Sequence, residues 1–366
     1  MSVEPALLRR LRLATQRLTP ETAAASAEEA ARAVCGIQAQ DVRAAGLALR
    51  CRVPGITRAD VDEAKLVRTW TVRGTVHLIA EDDRPWLHAL CAPRFGSRFE
   101  AMLAKRGGLE IARGMLTSMV DVLEEAPRDR ASLLAELGAR GHPHLGPYAV
   151  NVVIPWAAQQ GVVTGLADGR LRAADPPPPI DSDEALATMA RRYLAGYGPA
   201  SAADLASWSG LPVGAARRGL DALGQLDRLD DLLALPGTLE ADPPAAPAVR
   251  LLPAFDTTML GYRTREPLLA AEHDKRILPG GGMLRPVVLA RGVATATWRL
   301  AGSGRRRRLE LDWFGRPGAA RALAAEARDI GRFLGLEVEL AEASASGLPS
   351  LARDGNLHPN APPARR

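Results

Sequence analysis

Lysine is almost absent from this chain: of 47 basic side chains only Lys65, Lys105 and Lys275 are lysine, and the others are arginine. No lysine is indicated as a nucleophile, which argues against chemistry through a Schiff base. The planar arginine fork instead suits phosphate oxygens and guanine edges, so a net charge of +5 directs attention to nucleic acid. Coding in a GC-rich genome produces the same alanine, arginine, glycine and proline bias, so composition alone leaves the partner open. Cysteine is as sparse. Cys35, Cys51 and Cys91 are odd in number, sit among apolar residues and lack metal-ligand spacing, which excludes a disulfide framework and a zinc site and predicts buried thiols in a reducing compartment. No apolar stretch reaches the roughly 20 residues that cross a bilayer, and residues 1–18 carry arginines throughout, so a cytoplasmic protein with no membrane partner is expected. A phosphate-binding glycine loop is missing too. Gly280, Gly281 and Gly282 follow Pro279 and precede a strand, the place of a turn, so nucleotide hydrolysis and nicotinamide chemistry are not indicated. His142-Pro143-His144 has no accompanying cluster of ligands, and neither metal nor cofactor is expected.

What is present exceeds one hydrophobic core. With 366 residues, 47% apolar and 24% charged, the chain should fold as two to four compact units. Residues 5–80 read as helices at 7–18, 21–34, 42–52 and 58–65 followed by an extended run at 70–79. A second pattern gives helices at 131–140 and 148–160 and two short strands across 162–173, with Asp168-Gly169 as hairpin turn. Four prolines at 176–179 make a stiff linker. Beyond it, helices at 184–195, 202–208 and 213–223, with Ser201 and Asp204 as cap and Gly210 and Pro212 in the turn, form a helix-turn-helix whose second member carries Arg217 and Arg218, with a wing at 226–235. Such units also occur as plain packing motifs. After a proline-rich joint at 242–247, strands at 249–253, 287–291, 293–300 and 309–314 suggest an antiparallel sheet. A helix at 319–334 leads to a last strand at 337–341, and a proline-rich basic end at 351–366 is expected to be loosely held. The fold class is α+β: three tandem winged-helix units at 1–115, 116–180 and 181–245, then a C-terminal antiparallel β-rich element at 246–366.

The segment with chemical content is Cys35-Gly36-Ile37-Gln38-Ala39-Gln40-Asp41, where two amides flank a small residue beside an aspartate able to cap the next helix. Read bare, the pair could equally satisfy loop backbone. Four blocks in order make it specific: Gly36 to Asp41; Arg68-Thr-Trp70-Thr-Val-Arg73-Gly74-Thr75-Val-His77; Leu252-Pro-Ala-Phe255-Asp256 through Tyr262 to Arg265; and Ile277-Leu-Pro279 through Arg285-Pro286 to Trp298-Arg299. Together they resemble the AlkZ-type family of bacterial tandem winged-helix DNA glycosylases, above all its azinomycin-resistance branch, over roughly residues 5–315.

That resemblance implies excision of N-alkylated purines, N7-alkylguanine among them, and unhooking of guanine-N7 interstrand crosslinks such as those of azinomycin. The implied partner is double-stranded DNA bearing the lesion. Gln38 and Gln40 match the family's catalytic two-glutamine form. Asp41, Arg73, Thr75 and His77 are expected as active-site support, the last three alternating along one strand and so facing one side. His77 could instead be a satisfied core histidine, and Trp70 and Trp298 read as core. Arg305, Arg306, Arg307 and Arg308 after Gly302-Ser303-Gly304 form a charged hairpin tip suited to phosphates, with Arg285 and Arg299 as further DNA contacts. A non-catalytic winged-helix regulator and a recruiting adaptor are the competing readings. Regulators dimerise on palindromes, and with no dimer helix in view a monomer is expected.

Overall fold

Seven of the described helices begin where the sequence supplies a side-chain cap. Ser26, Asp41, Thr57, Asp129, Asp181, Ser201 and Asp256 each accept a backbone N–H of the following first turn, and Thr57–Asp60 and Ser201–Asp204 close reciprocal capping boxes. The computed structural model describes residues 4–142, 147–240 and 242–341. Pro143 and His144 of the His-Pro-His turn and the basic end 351–366 lie outside the described residues, as do the side chains of 147–150.

In chain order the N-terminal part comprises α1 (Pro5–Thr15), α2 (Ala27–Ala33), β1 (Ile37–Gln38), α3 (Val42–Arg50), α4 (Arg58–Glu63), β2 (Leu66–Trp70) and β3 (Val76–Ala80). The expected helix 21–34 is shorter, because Pro20–Thr22 makes an isolated 3-10 turn and Ser26 restarts the chain as α2. The expected extended run 70–79 is a hairpin: β2 and β3 pair antiparallel from Leu66↔Ala80 to Trp70↔Val76, with Val72–Gly74 at the tip. Residues 84–125, to which the sequence pattern assigned nothing, are helical: α5 (Arg84–Cys91), a π-helical turn Ala92–Gly96, α6 (Ser97–Ala104) and α7 (Leu109–Glu125). Then follow α8 (Arg130–Ala139), α9 (Pro147–Gln159), the wing β4 (Val163–Gly165) and β5 (Leu171–Ala173), and the helix-turn-helix α10 (Ser182–Tyr197), α11 (Ala202–Ser209) and α12 (Val213–Asp221) with its wing β6 (Asp227–Leu229) and β7 (Leu232–Ala234). The C-terminal part is β8 (Val249–Leu252), α13 (Thr257–Leu260), α14 (Asp274–Ile277), β9 (Val287–Ala290), β10 (Val293–Ala301), β11 (Arg306–Trp313), α15 (Ala320–Leu334) and β12 (Glu337–Leu340).

Two five-stranded sheets organise these elements. One runs β1-β3-β2-β4-β5, so the β2–β3 hairpin and the β4–β5 wing are joined at Arg68↔Gly165. The other runs β12-β11-β10-β9-β8; β8 to β11 are antiparallel as expected, while β12 returns through α15 to lie parallel to β11. Cores cross the sequence units. One contains Leu13, Tyr193, Trp208, Leu252 and Leu289, another Ile37, Leu47, Leu251, Ala296 and Phe333.

Buried ion pairs tie the N-terminal part to the C-terminal sheet. Arg52, fully buried, donates to both Asp256 carboxylate oxygens at 2.9 Å, and Arg50 meets Glu326 and Asp329 at 3.0 Å. Burial opposes the carboxylates of Asp256 and Glu326, and the adjacent guanidinium groups hold both below the usual carboxylate range. Removing one partner of such a pair strands a buried charge at about 3–5 kcal/mol. The cross-links therefore fix the platform on which β1 sits.

Candidate active site and nucleic-acid surface

The glutamine pair is placed by a turn that few residues tolerate. Leaving α2, the chain passes Cys35 at φ 53° and Gly36 at φ 97°, and a Cβ on Gly36 would lie 2.8 Å from Ile79 Cγ2. Glycine alone therefore lets the chain drop against β3. There Ile37 and Gln38 pair with Leu78 and His77. Gln38 is buried, whereas Gln40, past the end of the strand, is exposed. Asp41 is likewise exposed and serves as the N-cap of α3, accepting from Ala44 N at 3.0 Å.

A hydrogen-bond chain links the pair to Arg73. The Arg73 guanidinium donates to Gln38 Oε1 at 2.8 Å, and Gln38 Nε2 donates to Gln40 Oε1 at 2.6 Å. A guanidinium only donates, so the oxygen of Gln38 must face it; the nitrogen then faces Gln40, whose oxygen must receive it. One arginine thus sets the orientation of both amides. Gln40 keeps its amino group and one oxygen lone pair for solvent or substrate.

Arg73 is itself held from behind. Its other terminal nitrogen donates to the carbonyl of Trp208 at the end of α11, and Gly210, in the left-handed region at φ 75°, packs with its would-be Cβ 3.1 Å from Arg73 Cα. The turn between α11 and α12 is therefore a buttress for the candidate site. Its signal, Gly210 after a capped helix, is visible in the sequence, but its contact is not.

Arg73, Thr75 and His77, the three support residues expected on one strand, do not share a strand face. Arg73 lies at the hairpin tip with φ 58°, Thr75 closes that tip by donating to Val72 O at 3.2 Å, and only His77 belongs to β3. The reason is the reversal at 72–74, which ends the alternation assumed for a continuous strand. His77 is 2% exposed, with Nδ1 3.0 Å from both Thr71 Oγ1 and Thr75 O. Burial, reinforced by the charge of Arg73, lowers its pKa to about 3 and keeps the ring neutral. It acts as a core residue beneath Gln38. Trp298 is also core, its Nε1 donating to Leu252 O, and Trp70 is half-buried against the third core cluster.

Two of the four hairpin arginines have acidic or backbone partners. Arg306 pairs with Glu337 at 2.9 Å, and Arg307 turns back to the carbonyl of Gly302. Arg305 and Arg308 are exposed, with Glu339 opposite Arg308 in register. Arg299 pairs across the strands with Glu310 at 2.5 Å, and Arg285 donates to Arg276 O at 3.1 Å. The cysteines are all buried and unbridged, and burial pushes the Cys91 thiol up to about 12, so no thiolate is available. No group of three or more His, Cys, Asp or Glu side chains among the described residues is placed to hold a metal. Two surface cavities of about 320 and 310 Å³, one with Leu220 and Leu233 in its lining and the other with His88 and Gln160, include neither Gln38 nor Gln40.

Sequence reasoning missed Arg68 as well. From β2 its Nε donates to the carbonyl of Ala39, the residue between the two glutamines, at 3.0 Å.

Helix-turn-helix and wing elements set around a cluster of amides and arginines are consistent with a winged-helix protein whose candidate site lies before α3. A family model described as DNA glycosylase AlkZ-like matches residues 31–333, and the chain belongs to that family of DNA glycosylases. It is 27% identical over 321 residues, 79% of this chain and 86% of the relative, to the interstrand DNA cross-link repair glycosylase of Streptomyces sahachiroi. The solved structure of the Streptomyces sahachiroi DNA glycosylase AlkZ superposes with a TM-score of 0.72 at 22% identity, covering 93% of this chain and all of the other. No described helix is long and apolar enough to cross a membrane.

Proposed function

We propose that this glycosylase is monofunctional, that it hydrolyses the N-glycosidic bond of cationic N-alkylated purines of the N7-alkylguanine class, and that it unhooks guanine-N7 interstrand crosslinks in DNA. The observation that carries the reading is the chain Arg73–Gln38–Gln40, which ends at an exposed amide of fixed polarity. A purine alkylated at N7 already carries positive charge and leaves through an oxocarbenium-like state without a strong general acid. The enzyme need only direct water. The free lone pair of Gln40 Oε1 accepts a hydrogen bond from that water and aims its oxygen at the sugar C1′, and the amide dipole favours the developing positive charge. Gln38, with both ends engaged, orients Gln40.

Neutral amides are poor bases, so unmodified purines are spared through their poor leaving group. The three lysines are all exposed, which supports hydrolysis without a Schiff-base lyase step, for which a desolvated amine is needed. Exposure of Gln40 suits lesions too bulky to rotate out of the duplex. The protein acts as a monomer on DNA in the cytoplasm, because a lesion offers no two-fold symmetry, and its sequence units are those bounded at 115, 180 and 245.

Release of free base from duplex DNA with a single N7-alkylguanine tests the reading in the natural protein and in folded Gln38→Ala and Gln40→Ala variants. A fall of at least tenfold, about 1.4 kcal/mol of barrier, is expected in either variant. Absence of release by the natural protein, with DNA binding intact, overturns the substrate assignment in favour of a non-catalytic regulator. Unchanged release in both variants removes the pair from the mechanism.

A further inference from the structure

We infer that Arg68 is a clamp for a DNA backbone phosphate beside the glutamine pair. This rests on the reading that the site works on duplex DNA. Several partly buried arginines find backbone carbonyls, as Arg84 does at Asp175 and Gly161, and others find a carboxylate: Arg192 with Asp83, Arg250 with Glu326, Arg265 with Asp274. Arg73 lacks one, but its two terminal nitrogens are occupied by Trp208 O and Gln38 Oε1. Arg68 differs from both groups. It is half-buried, its Nε is engaged with Ala39 O, and its two terminal nitrogens have no hydrogen-bond or ion-pair partner among the described residues. Burial lowers its pKa, and no neighbouring charge among the described residues offsets that.

A half-buried cation left uncompensated is costly unless an anion arrives with the substrate. Its position specifies which anion. The Nε bond to Ala39 O ties the guanidinium to the peptide that joins the two glutamines, although the strand register starts Arg68 on the sheet face of Leu78 and Ile37, opposite that of Gln38, and the fork left over matches two oxygens of a phosphate. Duplex DNA presents a phosphate on either side of each sugar whose C1′ would be attacked. The electrostatics require it as well: Arg68 and Arg73 together repel a cationic purine and an oxocarbenium-like sugar, and a phosphate on Arg68 cancels one of those charges. The clamp thus sets the register of the strand against Gln40 and removes a repulsion in the same contact.

Binding alone tests this. Duplexes carrying a non-cleavable abasic-site analogue are made with a single neutral methylphosphonate at each phosphate around the lesion in turn. Affinity is measured for the natural protein and for Arg68→Gln, with Arg68→Met as the second variant should the first fail to fold. The expected result is a roughly tenfold loss on native DNA with a salt slope smaller by about 1. One methylphosphonate position should weaken the natural protein similarly and weaken the variant no further, a non-additive cycle. If the losses add at every position, Arg68 only supports the Ala39 carbonyl and the clamp is refuted. Because base release is not read, the clamp and the glycosylase mechanism stand or fall separately.

Discussion

Arg73 fixes which end of the Gln38 amide faces it, with a 2.8 Å hydrogen bond to Oε1, and through Gln38 it fixes Gln40. Substitution Arg73→Lys keeps the charge but loses the fork that spans Gln38 and Trp208. Base release from the N7-alkylguanine duplex should fall about tenfold to a hundredfold, roughly 1.4–2.7 kcal/mol of barrier. Arg73→Met should lose at least as much. Single-turnover rates at saturating enzyme separate this from binding, and a Lys variant as active as the natural protein would show that charge, not orientation, matters.

The buttress is tested at Gly210. A methyl there meets the Arg73 backbone at 3.1 Å and has to adopt φ 75°, which costs about 1–2 kcal/mol for a residue with a Cβ. Gly210→Ala should therefore lose modest stability but a larger share of base release. Gly214→Ala, on α12 with open space around it, is the control: it should leave base release unchanged and hold or slightly raise stability, since alanine favours the helix. Equal retention of activity in both variants, seen in single-turnover assays, would sever the third unit from the site.

His77 predicts a pH effect on stability. Its folded pKa of about 3 lies below the ordinary histidine value near 6.5, so the unfolded chain binds more protons between those limits. Stability from His77 is then fully present above about pH 6.5 and is lost as pH falls toward 3. Asp256 and Glu326, also lowered, lose stability in acid in the same direction, so the comparison must be with a variant. Urea midpoints at pH 4.5 and 7 should differ less in His77→Asn than in the natural protein. Base release should show no His77 titration between pH 5 and 8.

For the hairpin tip, partners decide the expected effect. Arg305 and Arg308 carry no ion pair among the described residues, whereas Arg299 and Arg306 face Glu310 and Glu337. If the tip contacts phosphates, Arg305→Ala and Arg308→Ala should each reduce the slope of log affinity against log salt by about 1, and Arg299→Ala should change it less. Equal slopes for all four proteins, natural and variant, would make the arginine run a solvated turn.

The sequence by itself determined the elements that depend on neighbours along the chain. Ser201 with Asp204, Asp41 before Val42 and Asp168-Gly169 between two short strands carry their capping and turn chemistry within a few residues, and the helices and wings appear there. It also marked Gln38 and Gln40, through the order of four blocks. Tertiary structure decided what depends on distance. The 70–79 run became a hairpin because Arg73 and Gly74, both at positive φ, reverse the chain where alternation alone reads as extended. His77 became a neutral core group because β1, nearly forty positions upstream, pairs beside it and β2 closes its other side. Arg73 became the orienting residue because Trp208, 135 positions away, supplies its second acceptor, and Arg68 gained its place because Ala39, 29 positions away, receives its Nε. Capping is a short-range exchange of hydrogen bonds and is written in the local sequence; the polarity of an amide pair is set by a donor that only the folded chain brings near.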